Sequence, residues 1–184
     1  MKAFAAVTVS AIMGALLVGS PLRAQDSRED PSQVRFSERN MGGPRLGVTY
    51  VIGENTLTRQ LRKQKIGTFI SQFGWHFEYQ VIPDGGGPSF VIEGVPMVGG
   101  VEYGTLIPSG TLAMGIRFPN GIEFGMGPNA IVTENGVKTA LVIALGKSLN
   151  YGGVSIPLNL VLATNPDGNR ISFIFGYAIF RPGR

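Results

Sequence analysis

His76 is the only histidine in this 184-residue chain, and there is no cysteine. One imidazole without thiolates does not make a zinc site, which needs three or four N and S ligands, so no metal is expected. Acyl-transfer chemistry would need a hydroxyl nucleophile and an orienting acid within reach of that imidazole. Ser71 has the wrong strand parity relative to His76, and nothing in the spacing selects Ser155 or Ser172. The glycine-rich run Asp84-Gly85-Gly86-Gly87-Pro88 lacks the Gly-Lys-Ser/Thr of a phosphate loop and reads as a turn. No catalytic residue and no cofactor is expected.

Two other sets of charges stand out. Arg45, His76, Glu78, Glu93, Arg117, Glu123 and Arg170 each fall among small residues within alternating segments. Shared burial would force them to pair, since an unpaired buried charge is strongly destabilising. Their expected role is therefore a structural polar network, with a proton-sensitive or ion-conducting lumen as its functional variant. The second set is Arg59, Arg62, Lys63 and Lys65, crowded into a connecting segment. It reads as a solvated loop or as a contact for anionic lipid headgroups and lipopolysaccharide phosphates.

The elements that must hold these residues are strands. In Phe69 to Gln80, Phe69, Phe73, Trp75, Phe77 and Tyr79 share one parity, with Ser71 as the exception. Ile70, Gln72, Gly74, His76, Glu78 and Gln80 share the other. Only a period of two separates these sets. The hairpin Thr111 to Ile131 fixes its own register. A three-residue Pro119-Asn120-Gly121 loop pairs Phe118 with Ile122, Ile116 with Phe124, Met114 with Met126, Gly115 with Gly125 and Arg117 with Glu123. A two-residue loop would set Arg117 against Phe124. Eight segments follow: roughly 45–52, 68–80, 89–98, 111–118, 122–131, 139–149, 154–164 and 170–180.

Two arguments orient the faces. Trp75, the phenylalanines and the leucines would overfill an eight-stranded interior, which is just wide enough for side chains. The other face, with Gly47, Gly74, Gly115, Gly125, Gly127, Gly146 and Gly176, is a poor solvent surface but a plausible crowded lumen. Lys147 falls on the bulky face late in its strand, where it can snorkel to a headgroup region. The fold expected is an all-β, eight-stranded antiparallel up-and-down transmembrane β-barrel, closed because hydrocarbon tolerates no unpaired backbone. The alternatives are a soluble lipocalin-like barrel binding a lipophilic ligand, and a lipid-modifying hydrolase acting through His76.

The first 24 residues read as a secretory signal: Lys2, an apolar run from Ala3 to Val18, and a cleavage region ending at Ala24. Residues 25–43 are polar and read as a flexible leader, with the barrel at 44–184. Cleavage leaves 14 basic and 12 acidic residues, a net charge of +2. No basic face with interleaved aromatics supports nucleic-acid binding. Charged residues are only 15% of the chain, against about 25% in soluble domains.

The signal, the strand count, the alternation and the aromatic-rich last strand Ile171–Phe180 resemble the small bacterial outer-membrane barrels of the OmpX-, OmpA- and OmpW-like class. The resemblance covers about residues 44–180. It departs at the tail, where Arg181-Pro182-Gly183-Arg184 follow the last aromatic. It implies a bacterial outer-membrane location, lipid bilayer and lipopolysaccharide as partners, and both termini on the periplasmic side. The connections 53–67, 99–110, 133–138 and 165–169 would then face outward.

Overall fold

The computed structural model describes residues 35–133, 136–152 and 154–181. The proposed signal peptide and residues 25–34 of the leader lie outside the described residues.

The strands are β1 (Phe36–Val51), β2 (Phe69–Pro83), β3 (Ser89–Gly99), β4 (Ile107–Arg117), β5 (Ile122–Thr133), β6 (Gly136–Tyr151), β7 (Val154–Thr164), β8 (Arg170–Gly176) and β9 (Ala178–Arg181). β8 and β9 are one stave interrupted at Tyr177: both pair antiparallel with β1 on one side and β7 on the other. Each remaining strand pairs with its chain neighbour, and β1 also pairs with β2, so eight staves close into an up-and-down barrel. Among the described residues no helix is long and apolar enough to cross a membrane. The first seven strands have 11 to 16 residues, enough for the 9–11 or so that a tilted spanning strand requires.

The bulky parity faces outward. Trp75 is 40% exposed, Phe124 44% and Phe173 45%, while Ser172 is buried at 9%. In water such a belt would be a severe liability; against lipid it is the solvated surface. Lys147 lies on this face and donates from Nζ to the carbonyl of Asn120 in the β4–β5 turn, the expected snorkel. That turn has the expected three-residue register: Arg117 faces Glu123, Gly115 faces Gly125 and Ile116 faces Phe124. Gly121 takes a left-handed φ of 83°.

Three features differ from the sequence reading. β1 starts at Phe36, inside the stretch expected to be a flexible leader: Phe36 to Gly43 pair residue by residue with Pro83 to His76. Backbone hydrogen bonds extend a sheet beyond the apolar belt regardless of side-chain polarity. For the same reason β4 begins at Ile107 and β6 at Gly136, which shortens two of the connections. The inner glycines mark where neighbouring strands approach most closely. A Cβ on Gly74 would sit 2.1 Å from the Pro96 carbonyl oxygen, and one on Gly127 1.9 Å from that of Leu112. Neighbouring strands bend over these positions, so glycine here permits tight closure.

The third difference is a helix, α1 (Thr56–Lys63), within the segment read as a loop. Asn55 caps it, with Oδ1 accepting from the Thr58 amide at 2.9 Å. It ends in a Schellman motif: Ile66 N–H donates to Leu61 O (2.9 Å) and Lys65 N–H to Arg62 O (3.0 Å). Leu61 and Ile66 join Val51 and Ile70 in a buried cluster at the end of the barrel opposite the termini. The Leu57 amide donates to Asp167 O in the β7–β8 loop at 2.8 Å. α1 therefore caps one mouth, hereafter the helix end; the other is the terminal end.

Candidate functional site

The inward parity divides along the barrel axis. Toward the terminal end, β1 to β5 contribute a connected ionic cluster. Arg117, the last residue of β4, forms ion pairs with Glu78 of β2 and Glu123 of β5. Its Nη2 donates to Glu78 Oε2 at 3.0 Å and its Nε to Glu123 Oε2 at 2.7 Å. Glu93 of β3 lies 3.7 Å from Arg117 Nη2. Glu123 also accepts from Ser148 Oγ (3.4 Å) and, with the Asn159 amide nitrogen turned toward it, from that side chain at 2.8 Å.

His76 extends this cluster to β1. Arg45 Nη2 lies 2.7 Å from His76 Nδ1, and His76 Nε2 is 3.5 Å from Glu78 Oε2 and 3.6 Å from Glu93 Oε2. A guanidinium can only donate, so Nδ1 is the acceptor and the ring proton sits on Nε2, facing both carboxylates. The imidazole is 2% exposed and no hydroxyl hydrogen-bonds to it among the described residues. His76, Glu78 and Glu93 bring three potential metal-ligand atoms within 4.8 Å of one another. A cation there would have to displace Arg117 from Glu78 and compete with its charge, so the donor set does not fit a resident metal.

Arg170 stands apart from the other six. It opens β8 at the helix end, where its Nη2 donates to Asn129 Oδ1 at 3.2 Å. Asn129 is fixed in turn by its amide donating to Thr111 Oγ1 (3.0 Å) and Gly110 O (3.2 Å). Nearby, Thr49 and Ser172 hydroxyls pair at 2.6 Å.

Between the ionic cluster and α1 lies a cavity of about 410 Å³. Arg45, His76 and Glu93 line it on the cluster side. Its walls include Val51, Ile70, Met97, Ala113, Val142 and Ala163 together with the hydroxyls of Thr49, Thr111 and Ser172, and Leu57, Leu61 and Ile66 line it from the helix segment. Lys138 also lines it, its ammonium held by Asp167 and by Gln60 Oε1 at 2.9 Å. The glycine positions singled out in the sequence do not form this space. Short aliphatic and hydroxyl side chains on the helix-end half of the strands do. The cavity was the feature hardest to read in the sequence, because it depends on a helix whose only signals were Asn55 before Thr56 and the four-residue spacing of Leu57 and Leu61.

The basic residues of the connecting segment come together on the outer surface of the α1 segment. Arg59 donates to Thr56 Oγ1 at 3.3 Å, Arg62 is paired with Glu54, and Lys63 and Lys65 are exposed. A second device at this end is the single 3-10 turn Val101–Tyr103. Tyr103 donates to Phe69 O at 2.7 Å, and Glu102 accepts from the Ser71 amide at 2.7 Å and from its hydroxyl. This accounts for Ser71, the polar exception on the bulky face of β2. Slight desolvation pushes the Glu102 carboxyl up, but the two Ser71 donations outweigh it and hold it below the usual carboxylate range.

A closed antiparallel barrel with an outward apolar belt, a polar lumen and strands of spanning length defines this chain as a small transmembrane barrel of the outer-membrane type. No protein-family model matches the chain, and no curated protein does. Among solved structures it is similar to Ail, the attachment invasion locus protein of Yersinia pestis, at 10% identity and a TM-score of 0.45, covering 77% of this chain and 97% of that one. The structure of Ail with the heparin analogue sucrose octasulfate gives 13% identity and a TM-score of 0.44 over the same shares. The class assignment rests on the chain's own closure and face polarity.

Proposed function

We propose that this chain is a non-enzymatic barrel of the bacterial outer membrane. In this reading it receives a small, largely apolar molecule in its helix-end cavity and does not pass it through. One observation carries the proposal: a cavity of about 410 Å³, within the range of roughly 300–1,000 Å³ for small-ligand sites, is bounded on its terminal side by an ionic cluster. Side chains from β1 to β5 pair with one another in the lumen there, and a solute passing them would have to disturb paired charges in a confined, low-dielectric space.

The reading takes the helix end as facing out of the cell and the first 24 residues as a cleaved export signal. It also assigns the exposed cations Arg59, Lys63 and Lys65 to contact with anionic headgroups or lipopolysaccharide phosphates. The absence of chemistry is supported by the partners of His76, which are a guanidinium and two carboxylates rather than an activated hydroxyl. The soluble lipocalin-like alternative requires the bulky face inside, and that face is outside.

The test uses protein in phosphatidylcholine nanodiscs and the uncharged fluorophore N-phenyl-1-naphthylamine. Saturable fluorescence above that of empty nanodiscs is expected, and Val142→Trp should abolish it. Liposomes carrying the protein should hold entrapped potassium. Rapid potassium release would make the barrel a pore and reject the proposal.

A further inference from the structure

Three cationic side chains line the cavity, and their surroundings differ. Arg45 belongs to the ionic cluster and also donates to the carbonyls of Pro44 and Tyr177, each at 3.3 Å. Lys138 is neutralised by Asp167. Arg170 has no carboxylate partner among the described residues, and a single hydrogen bond to a neutral amide oxygen. Its strand neighbours are Val51 and Ala163, both buried and apolar. A guanidinium carries five donors in a planar fork. Among the described residues no buried polar side-chain atom lacks a partner, so the remaining Arg170 donors reach accessible space, and Arg170 lines the cavity. Asn129, fixed by two further hydrogen bonds, holds one edge of the fork in place.

An uncompensated cation at the edge of an apolar chamber is costly unless the occupant supplies the counter-charge. Planar, two-pronged donation matches a carboxylate. We propose that the ligand of this cavity is a lipophilic carboxylate, a small amphiphile whose anionic head pairs with Arg170 while its tail lies among Leu61, Ile66, Ile70, Met97 and Val142. The proposal rests on the pocket reading above and adds the chemical class of the ligand. The same geometry assigns Arg170 a specificity role: it selects the acid over the neutral analogue of equal length.

The experiment measures displacement of N-phenyl-1-naphthylamine from nanodisc-held protein by decanoate and by decan-1-ol, at mildly alkaline pH where the carboxyl is ionised. Decanoate should displace the probe at a concentration at least about tenfold lower than decanol, as a charge-assisted hydrogen bond implies. Arg170→Met should remove that preference, and Arg170→Lys should restore part of it. Heat-dependent gel migration reports whether each variant is folded. Equal potency of acid and alcohol in the wild type, or an undiminished preference in Arg170→Met, overturns this inference and leaves the pocket standing. Failure of the wild type to bind the fluorophore at all removes the pocket, and this proposal with it.

Discussion

The two halves of the lumen are built on the same strands and the same inward parity, yet one is braced and the other hollow. In the terminal half, Glu78, Glu93, Arg117 and Glu123 from four successive strands, β2 to β5, pair with one another inside the lumen. In the helix half the same parity carries Thr49, Ala113, Val142 and Ala163, which stop short, and α1 covers the mouth. Backbone geometry does not distinguish the two halves; side-chain length and charge do. A barrel of this size can therefore hold a brace and a pocket in series without changing its strand count.

The largest expected effect follows from removing the centre of the brace. Arg117 neutralises carboxylates from three strands, so Arg117→Leu would leave them facing one another with only His76 and, behind it, Arg45 nearby. Breaking a buried ionic group in this way costs about 3–5 kcal/mol. The urea midpoint of the detergent-folded barrel, read by gel migration, should fall accordingly. A midpoint within experimental error of the wild type would mean that the terminal half is not what holds the staves together.

The matching change in the hollow half should do little to the fold. Ala163→Leu adds three carbons into existing space and should shift stability by less than about 1 kcal/mol, whereas overpacking a filled core costs roughly 1–3 kcal/mol. Its effect should appear in binding, as loss of the fluorophore signal. If Ala163→Leu instead destabilised as much as a core insertion, the cavity would be smaller than its 410 Å³ suggests and the contrast between halves would weaken.

The sequence carried the transverse arrangement of the barrel better than the axial one. Alternation told inside from outside, and the Pro119-Asn120-Gly121 loop fixed the pairing of Arg117 with Glu123, because a period of two leaves a single acceptable register. Axial position follows from where strands start and stop, and polarity misled there: Phe36 to Gly43 looked like leader and is strand. Arg170 was grouped with Arg117 although one opens a strand that descends from the helix end and the other closes a strand at the terminal end. Strand direction alone separates them, and that signal was present. α1 was obscured by its three basic residues and by Lys65 just beyond it, which drew attention to charge and away from the cap at Asn55.

The smallest expected effect concerns the lid over the hollow half. Lys65 adopts a left-handed φ of 59°, the only positive value outside glycine among the described residues, at the position where a Schellman motif favours glycine. A side chain in that region costs roughly 1–2 kcal/mol. Against this, Lys65 places a positive charge beside the helix C-terminus, worth about 0.3–1 kcal/mol. Lys65→Gly should thus stabilise α1 by up to about 1 kcal/mol, less than the strain alone would give. The gain should be local, because α1 contributes no strand to the closed barrel. Amide exchange at Lys65 and Ile66, whose N–H groups close the motif, should slow by several-fold while the urea midpoint stays fixed. A steadier lid should also slow fluorophore dissociation from the cavity. Slower amide exchange with unchanged dissociation would show that the ligand leaves by a route that does not involve α1.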